Sequence, residues 1–319
     1  MTEPIPREFL DRMRLILSGD ALDAAIMPRA EPAVTAIRLN PLRGDPEATL
    51  AHLSARGIAF TRVPWCPEAV LAHTSVRELQ RLPSSSDGDF HIQSLSSMAV
   101  TLALDPKPGE SVLDLCAAPG SKTSHIAAMM SNRGRLVAVE ASRPRAFRLK
   151  EVLRTLGAHA EIHVARGERW ARANRGGFDR VLLDAPCSAE GRILAGDKAA
   201  AADWSIAKIR RLASSQKSLL HAGIEALREG GTLVYSTCTL APEENELVLE
   251  RALERYGDAI DIVDTHLASS LGVRALASWM GRELPASIQH ARRLVPPLEG
   301  FFIARLSRRY GASIKTSTT

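Results

Sequence analysis

The sequence predicts an α/β protein built on a mostly parallel sheet with helices on both faces. Three observations carry that prediction. Short apolar runs alternate with helical stretches through most of the chain, the pattern of a parallel sheet and its crossovers. Three of those runs end in a chemically loaded residue: Glu140, Asp184 and Cys238. One run, Ser111 to Cys116, leads through the small-residue turn Ala117-Ala118-Pro119-Gly120 into a helix from Ser121 to Met130. A strand, a glycine-containing turn and a helix place a ligand at the carboxyl end of a parallel sheet, where small residues let the backbone approach it.

Taken in order, Pro6 to Leu17 has Phe9, Met13, Ile16 and Leu17 on one helical face, and Ser18-Gly19-Asp20 ends it. Ala33 to Asn40 reads as a strand, Pro46 to Arg56 as a helix and Ile58 to Val63 as a second strand. This β-α-β unit carries Arg38, Arg43, Arg56 and Arg62, and it fits either a small nucleic-acid-binding module or a decorated edge of the main domain. The Ser-rich stretch Pro83 to Asp89 is the linker candidate, and Gln93 to Leu104 returns to helix.

After the central strand–turn–helix, Arg135 to Glu140 is a strand and Arg143 to Leu156 a helix closed by Gly157. Glu161 to Val164 and Arg180 to Leu183 are strands. Ser205 to Arg228 is a long helix stopped by Gly230-Gly231, Thr232 to Ser236 a strand, and Glu243 to Tyr256 a helix. Gly300 to Leu306 reads as an antiparallel edge strand, and the polar tail from Gly311 to Thr319 as disordered. The organisation expected is an N-terminal subdomain over 1–90, a main domain over 91–310 and a tail over 311–319.

Composition narrows the function classes. The 319 residues are 45% hydrophobic and 24% charged, as in an ordinary globular chain long enough to bury a core. Aromatics at 4% leave few stacking platforms for single-stranded nucleic acid, while a net charge of +5 suits a polyanionic partner without requiring one. None of Cys66, Cys116, Cys187 and Cys238 forms a C-x-x-C pair, so no zinc or other metal site is expected. No apolar run approaches the ~20 residues of a membrane span, and Met1 to Pro6 is not a secretory signal. The expectation is a cytoplasmic protein with reduced thiols, no membrane contact and a monomeric state.

The central turn is neither of the common nucleotide loops. Ser121 separates Gly120 from Lys122, so the phosphate-loop pattern fails, and one glycine cannot supply the three of a dinucleotide fingerprint. Glu140, at a strand end, suits hydrogen bonds from a ribose diol, or a charge at the N-terminus of the following helix. Asp184-Ala-Pro-Cys187 and Ser236-Thr-Cys238 put two thiols on adjacent strand tips at the ligand face. Thiols there solve a particular problem. C5 of cytosine is a poor nucleophile until a thiolate adds at C6 and makes it enamine-like. An acid must then stabilise a proton on N3, and a base must remove the C5 proton so that the thiol can leave. Lys122 is a cation at this face that would favour a thiolate. Spacing leaves open which cysteine attacks.

Several motifs recur in order: Leu115-Cys-Ala-Ala-Pro-Gly-Ser-Lys-Thr123, Phe178-Asp-Arg-Val-Leu-Leu-Asp-Ala-Pro-Cys-Ser188, Ser236-Thr-Cys-Thr-Leu-Ala-Pro-Glu-Glu-Asn-Glu246 and Gly300-Phe-Phe-Ile-Ala-Arg305, with Ile37-Arg-Leu-Asn40 and His91-Ile-Gln93 upstream. With these the chain, over roughly residues 30 to 306, resembles the NOL1/NOP2/Sun family of S-adenosylmethionine-dependent RNA 5-methylcytosine methyltransferases. The resemblance implies a class I, Rossmann-like methyltransferase with a mostly parallel seven-stranded sheet behind a small α+β, RRM-like RNA-binding subdomain. It makes Cys238 the nucleophile and Cys187 the residue that helps resolve the adduct. Asp184 would contact the cytosine and the cofactor region, with Lys122 in support. Cys116, Ala117, Ala118, Pro119, Gly120, Ser121 and Lys122 would wrap the methionine part of S-adenosylmethionine, Glu140 would hold its ribose, and Arg145 would sit nearby.

Two positions depart from that pattern. Ser121 stands where the family has a second glycine, and Ala165-Arg-Gly-Glu-Arg169 offers Arg166 or Gly167 where an acid contacts the adenine, with Glu168 as a substitute from a shifted turn. The substrate implied is RNA. Pro64-Trp65-Cys66 resembles members that act on small-subunit rRNA, tRNA is the alternative, and a non-catalytic RNA-binding assembly factor is the reading from another class.

Overall fold

The computed structural model describes residues 5–17, 21–23, 34–295, 298–312 and 314. Its contacts gather into two compact units, Ala30–Arg166 and Gly167–Thr319 with Met1–Arg29.

The unit Ala30–Arg166 begins with an antiparallel sheet in the order β2-β3-β1-β4, from β1 (Thr35–Leu39), β2 (Phe60–Arg62), β3 (Ala69–Ala72) and β4 (Phe90–Ile92). Ile37 and Leu39 of β1, Val70 of β3 and Phe90 of β4 bury one face against Leu50 and Leu53 of the helix Pro46–Ala55. That helix starts where Asp45 accepts from the Glu47 amide and proline takes an early position whose N–H needs no partner. The β-α-β unit is therefore part of a larger sheet, and its two strands do not pair. β3, a short apolar run without alternation, lies between them. The linker candidate at 83–89 is instead a short helix, Pro83–Asp87, closed by left-handed Gly88.

Parallel strands follow: β5 (Ser111–Asp114), β6 (Arg135–Glu140) and β7 (Glu161–Val164), paired in that order. The helices Ser121–Met129 and Arg143–Leu156 connect them. Within this unit buried polar groups tie the antiparallel sheet to the parallel strands and their helices. Asn40 Nδ2 donates to Gly88 O at 2.7 Å and to Leu156 O at 2.9 Å, and Arg43 Nε donates to Thr155 O at 2.8 Å.

The other unit is built on the parallel pair β8 (Phe178–Asp184) and β9 (Leu227–Thr237). Short strands follow: β10 (Ile260–Val263), β11 (Val273–Arg274), β12 (Ser278–Trp279), β13 (Arg282–Glu283) and β14 (Arg292–Leu294). β15 (Phe301–Arg308) runs antiparallel to β9 and pairs along its other side with both β10 and β14. It is thus an interior strand and not the edge its sequence predicts. The expectation had no counterpart for β10 to β14, whose runs of two to four residues are too short to show a period.

The long helix is Ile206–Ala226, capped by Ser205, and the chain enters β9 at once. Gly230 and Gly231 do not stop the helix. They lie in an irregularity of β9, where the register jumps from Phe178↔Leu227 to Arg180↔Thr232. The N-terminal helix Arg7–Ile16 belongs to this unit: Phe9 stands edge-on to Trp204 and Arg12 pairs with Glu243 at 2.6 Å. Its expected end at 18–20, and residues 313 and 315–319 of the expected tail, lie outside the described residues. Among the described residues no helix is long and apolar enough to cross a membrane.

Candidate active site

In the unit Ala30–Arg166 the turn after β5 is held mainly through its backbone. Thr123 Oγ1 donates to Asp114 Oδ2 at 2.7 Å, tying the helix start to the strand end. Ala117 N donates to Val139 O, and Arg145 Nη2 donates to Ala118 O at 2.8 Å. The Ala118–Pro119 bond is cis, and Gly120 sits at φ +110°, where a side chain would be strained. Glu140 ends β6 almost wholly buried. Its Oε1 accepts from Ser142 N at 2.9 Å, and Oε2 lies 3.5 Å from Arg145 Nη2. A carboxylate offers about four acceptor sites, so these contacts leave capacity for a ribose diol. A small-residue turn beside a buried carboxylate with spare acceptor capacity suits a ligand that carries a ribose diol.

Arg38 braces this turn from below. Its buried guanidinium donates to Gln93 Oε1 at 2.7 Å, Ser121 O at 2.9 Å and Ser124 Oγ at 2.9 Å. Burial lowers its pKa to about 9. His91 Nε2 meets Ser121 Oγ at 2.8 Å, so the serine at the unusual position has a partner that glycine would lack. Lys122 lies in the first turn of Ser121–Met129, and Cys116 is a half-buried thiol.

The other unit holds Asp184, Cys187 and Cys238. Asp184 ends β8 and accepts from Ser236 Oγ at 2.8 Å, across the parallel pair. Cys187 and Cys238 face each other with Sγ atoms 3.0 Å apart, and the Cys238 amide donates to Cys187 Sγ at 3.3 Å. The hydrogen bond with Cys238, burial and the negative Glu244 all push the Cys187 thiol well up. Two thiols in contact cannot both ionise easily, and here Cys187 is the one that keeps its proton.

Around them stands a set of buried polar side chains. Glu244 Oε2 accepts from Ser188 N at 3.0 Å and from Gln216 Nε2 at 2.6 Å, and Gln216 Nε2 also donates to Pro186 O at 2.8 Å. Burial raises the Glu244 carboxyl to about 7. Glu190 accepts from Thr239 Oγ1 at 2.9 Å, Leu240 N at 3.2 Å and Trp204 Nε1 at 2.9 Å. Asn245 accepts from Thr237 Oγ1 at 2.6 Å and donates to Thr239 O at 3.0 Å. Gly191 and Gly300 pass so closely that a Cβ on Gly191 would lie 2.0 Å from Gly300 O, and the Gly191 amide donates to Cys238 O.

The structure thus brings Asp184, Cys187 and Cys238 together in one unit and the turn, Glu140 and Arg145 together in the other. Sequence reasoning missed Gln216, Glu190 and Glu244. Gln216 had a signal: it interrupts the apolar stripe Ile209, Ala213, Leu220 of its helix and is fully buried. Glu168 opens the short helix Gly167–Ala173.

A family model described as "16S rRNA methyltransferase RsmB/F" matches residues 101–307. Ribosomal RNA small subunit methyltransferase F of Cronobacter sakazakii is 36% identical over 311 residues, which are 95% of this chain and 63% of that protein. The same enzyme of an Enterobacter strain matches equally, so the chain spans somewhat under two thirds of these relatives' length. A methyltransferase homolog from Pyrococcus horikoshii is 31% identical with a TM-score of 0.77, over 95% of this chain and 99% of that one. NSun6 from the same organism shares the fold at 22% identity and a TM-score of 0.79, over 97% of this chain and 99% of that one. With the motifs, the strand-end cysteines and the parallel sheet all in accord, the chain belongs to the RsmB/F family of 16S rRNA methyltransferases, NOL1/NOP2/Sun-type enzymes on the S-adenosylmethionine-dependent class I fold.

Proposed function

We propose that the protein methylates C5 of a cytosine in small-subunit ribosomal RNA through a covalent bond between Cys238 and C6. The observation that carries this reading is the thiol pair at 3.0 Å on the ends of two neighbouring parallel strands. Cys116 to Lys122 would hold the methionine part of the cofactor and Glu140 its ribose, with Arg145 beside it. S-adenosylmethionine, when bound, supplies an electrophilic methyl group.

The residues divide the work as follows. Cys238, the cysteine of the Thr-Cys motif, attacks as the family resemblance implies, and Cys187 beside it, its thiol pushed up, keeps its proton at that stage. The Cys238 thiolate adds to C6, the C5–C6 π pair shifts by way of C4 onto N3, and N3 takes a proton from solvent that Asp184, supported by Lys122, stabilises. C5 then accepts the methyl group. Once Cys238 is bonded to carbon, its hydrogen bond no longer holds the Cys187 proton, and Cys187 loses that proton to solvent. In the last step the Cys187 thiolate takes the C5 proton, the C–H pair reforms the C5–C6 double bond, the C6–S bond breaks to return Cys238 as thiolate, and N3 gives up its proton to solvent. The reading carries with it a monomeric, cytoplasmic enzyme, with residues 1–90 contributing RNA contacts and 91–310 the catalytic domain.

A second reading, an RNA-binding assembly factor without catalysis, draws support from Arg166 and Gly167 standing where an adenine-contacting acid is expected. Methyl transfer to unmodified rRNA and tRNA pools tests both readings. The expected result is labelling of small-subunit rRNA by wild type, none by Cys238→Ala, and a trapped protein–RNA adduct with Cys187→Ala. Labelling of tRNA moves the substrate, and no labelling with no cofactor binding hands the case to the second reading.

A further inference from the structure

Cys187 is gripped from both sides by side chains the reaction scheme does not use. The residue before it, Pro186, offers its carbonyl to Gln216, and the residue after it, Ser188, offers its amide to Glu244. Gln216 and Glu244 are themselves joined at 2.6 Å. Both are fully buried, one from the long helix Ile206–Ala226 and one from the loop after β9. As a stabilising device this is a poor one. Glu244 Oε1 and Gln216 Oε1 have no hydrogen-bond partner among the described residues, and a buried orphan acceptor costs stability because nothing replaces the water it lost. Apolar side chains of the same volume would fill the space at less cost. What the pair achieves is placement of the 186–188 turn, and with it the Cys187 thiol against Cys238.

We propose that Gln216 and Glu244 are positioning residues for the methyl transfer, clamping the 186–188 turn so that Cys187 can resolve the Cys238 adduct. The assignment rests on the proposed reaction, whereas the clamp itself can be read without it. Neither residue touches the cytosine in this scheme; both act through Cys187. Glu244 adds an electrostatic part, since its negative charge helps hold the proton on Cys187.

The test uses Gln216→Leu and Glu244→Gln in the full chain, with two independent readouts. The first is the rate at which diamide drives the Cys187–Cys238 disulfide, followed by peptide mass spectrometry. A clamp released by an ångström slows that rate by about tenfold or more in Gln216→Leu. Glu244→Gln keeps the shape but not the charge, and it moves the pH of half-maximal rate downward. The second readout is turnover on rRNA. Gln216→Leu lowers kcat with KM unchanged and accumulates the protein–RNA adduct, as Cys187→Ala does. A destabilised but otherwise normal enzyme would lose adduct and turnover together, and that outcome overturns the proposal. So does an unchanged disulfide rate in both variants. If wild type and Cys187→Ala form neither product nor adduct while the disulfide rate still falls in Gln216→Leu, the clamp stands and the reaction assignment fails. Should Gln216→Leu not fold, Glu244→Gln alone decides, through its pH shift.

Discussion

Around Gly120 the groups held are mostly neutral backbone groups. The Ala117 amide donates to Val139 O, the Ala118 and Ser121 carbonyls accept from Arg145 and Arg38, and one threonine ties the turn to Asp114. Around Cys187 and Cys238 the same task falls to buried acids and an amide. Gln216 reaches Pro186 across 30 positions of sequence, Glu190 reaches Thr239 across 49, and Glu244 reaches Ser188 across 56. Where the groups held are neutral, losing one partner strands no buried charge. A region built from buried polar side chains depends on every member, because losing one partner strands the other in a medium that cannot solvate it.

The largest expected effect exploits that dependence. Arg293 and Glu246 form a fully buried ion pair in the cysteine unit, and Arg293 also donates to Leu240 O. Arg293→Met leaves Glu246 charged and unpaired, a change expected to cost about 3–5 kcal/mol. Arg38 is as deeply buried in the other unit, yet its hydrogen-bond acceptors are a carbonyl, an amide and a hydroxyl. Arg38→Met strands no anion, so about 1–3 kcal/mol is expected. Urea denaturation of the two variants measures the difference. Equal losses would erase the contrast between the units.

This contrast also explains what could be read from the sequence. The strand–turn–helix from Ser111 to Met129 was legible because its signals are local: an apolar run, four small residues, a helical period. The strand ends at Glu140, Asp184 and Cys238 were legible for the same reason. Glu244 stood inside the motif Ser236 to Glu246, but nothing local distinguishes it from Glu243, which pairs with Arg12 instead. β3 and β10 to β14 were illegible because their hydrogen-bond partners, not their residues, make them strands.

The second prediction concerns pH, where one residue of each unit carries a slope opposite to the other's. The Glu244 carboxyl, raised by burial from 4.5 to about 7, binds more proton folded than unfolded between those values. Its contribution is full below pH 4.5 and is lost as pH rises through about 7, on the order of 3 kcal/mol in all. His91, lowered by burial and then by Arg38 from 6.5 to about 4, behaves in reverse. Its contribution is full above pH 6.5 and is lost as pH falls through about 4. His221 in the cysteine unit is also lowered to about 4, so variants must be compared rather than raw curves. Glu244→Gln should flatten the fall between pH 5 and 7, and His91→Gln the fall between pH 6 and 4, in thermal melts across that range. Slopes of one sign in both cases would break the comparison.

The third prediction moves to ligand binding. Glu140 is buried and keeps acceptor capacity beyond Ser142 and Arg145. Hydrogen bonds to a charged group contribute about 1.5–3 kcal/mol, so Glu140→Ala should weaken S-adenosylmethionine binding roughly 10- to 100-fold by calorimetry. Glu244→Gln should leave that affinity within about twofold, because its partners serve the cysteine turn. A comparable loss in both would show that the two sets of residues do not act separately.

The smallest effect lies where this chain departs from its family. Ser121 replaces an expected glycine, and its hydroxyl meets His91 Nε2 at 2.8 Å while its carbonyl accepts from Arg38. Only the hydroxyl contact depends on the side chain. A net hydrogen bond contributes about 0.5–1.5 kcal/mol, and glycine at the start of a helix adds a few tenths through backbone entropy. Ser121→Gly should therefore cost about 1 kcal/mol, His91→Gln a similar amount, and the double variant less than the sum. A double-mutant cycle in urea isolates the coupling, expected at about 1 kcal/mol. A coupling near zero would mean that the serine is merely tolerated in a turn its backbone already holds. A coupling above about 2 kcal/mol would place this turn with the cysteine tips, as a region that depends on every member.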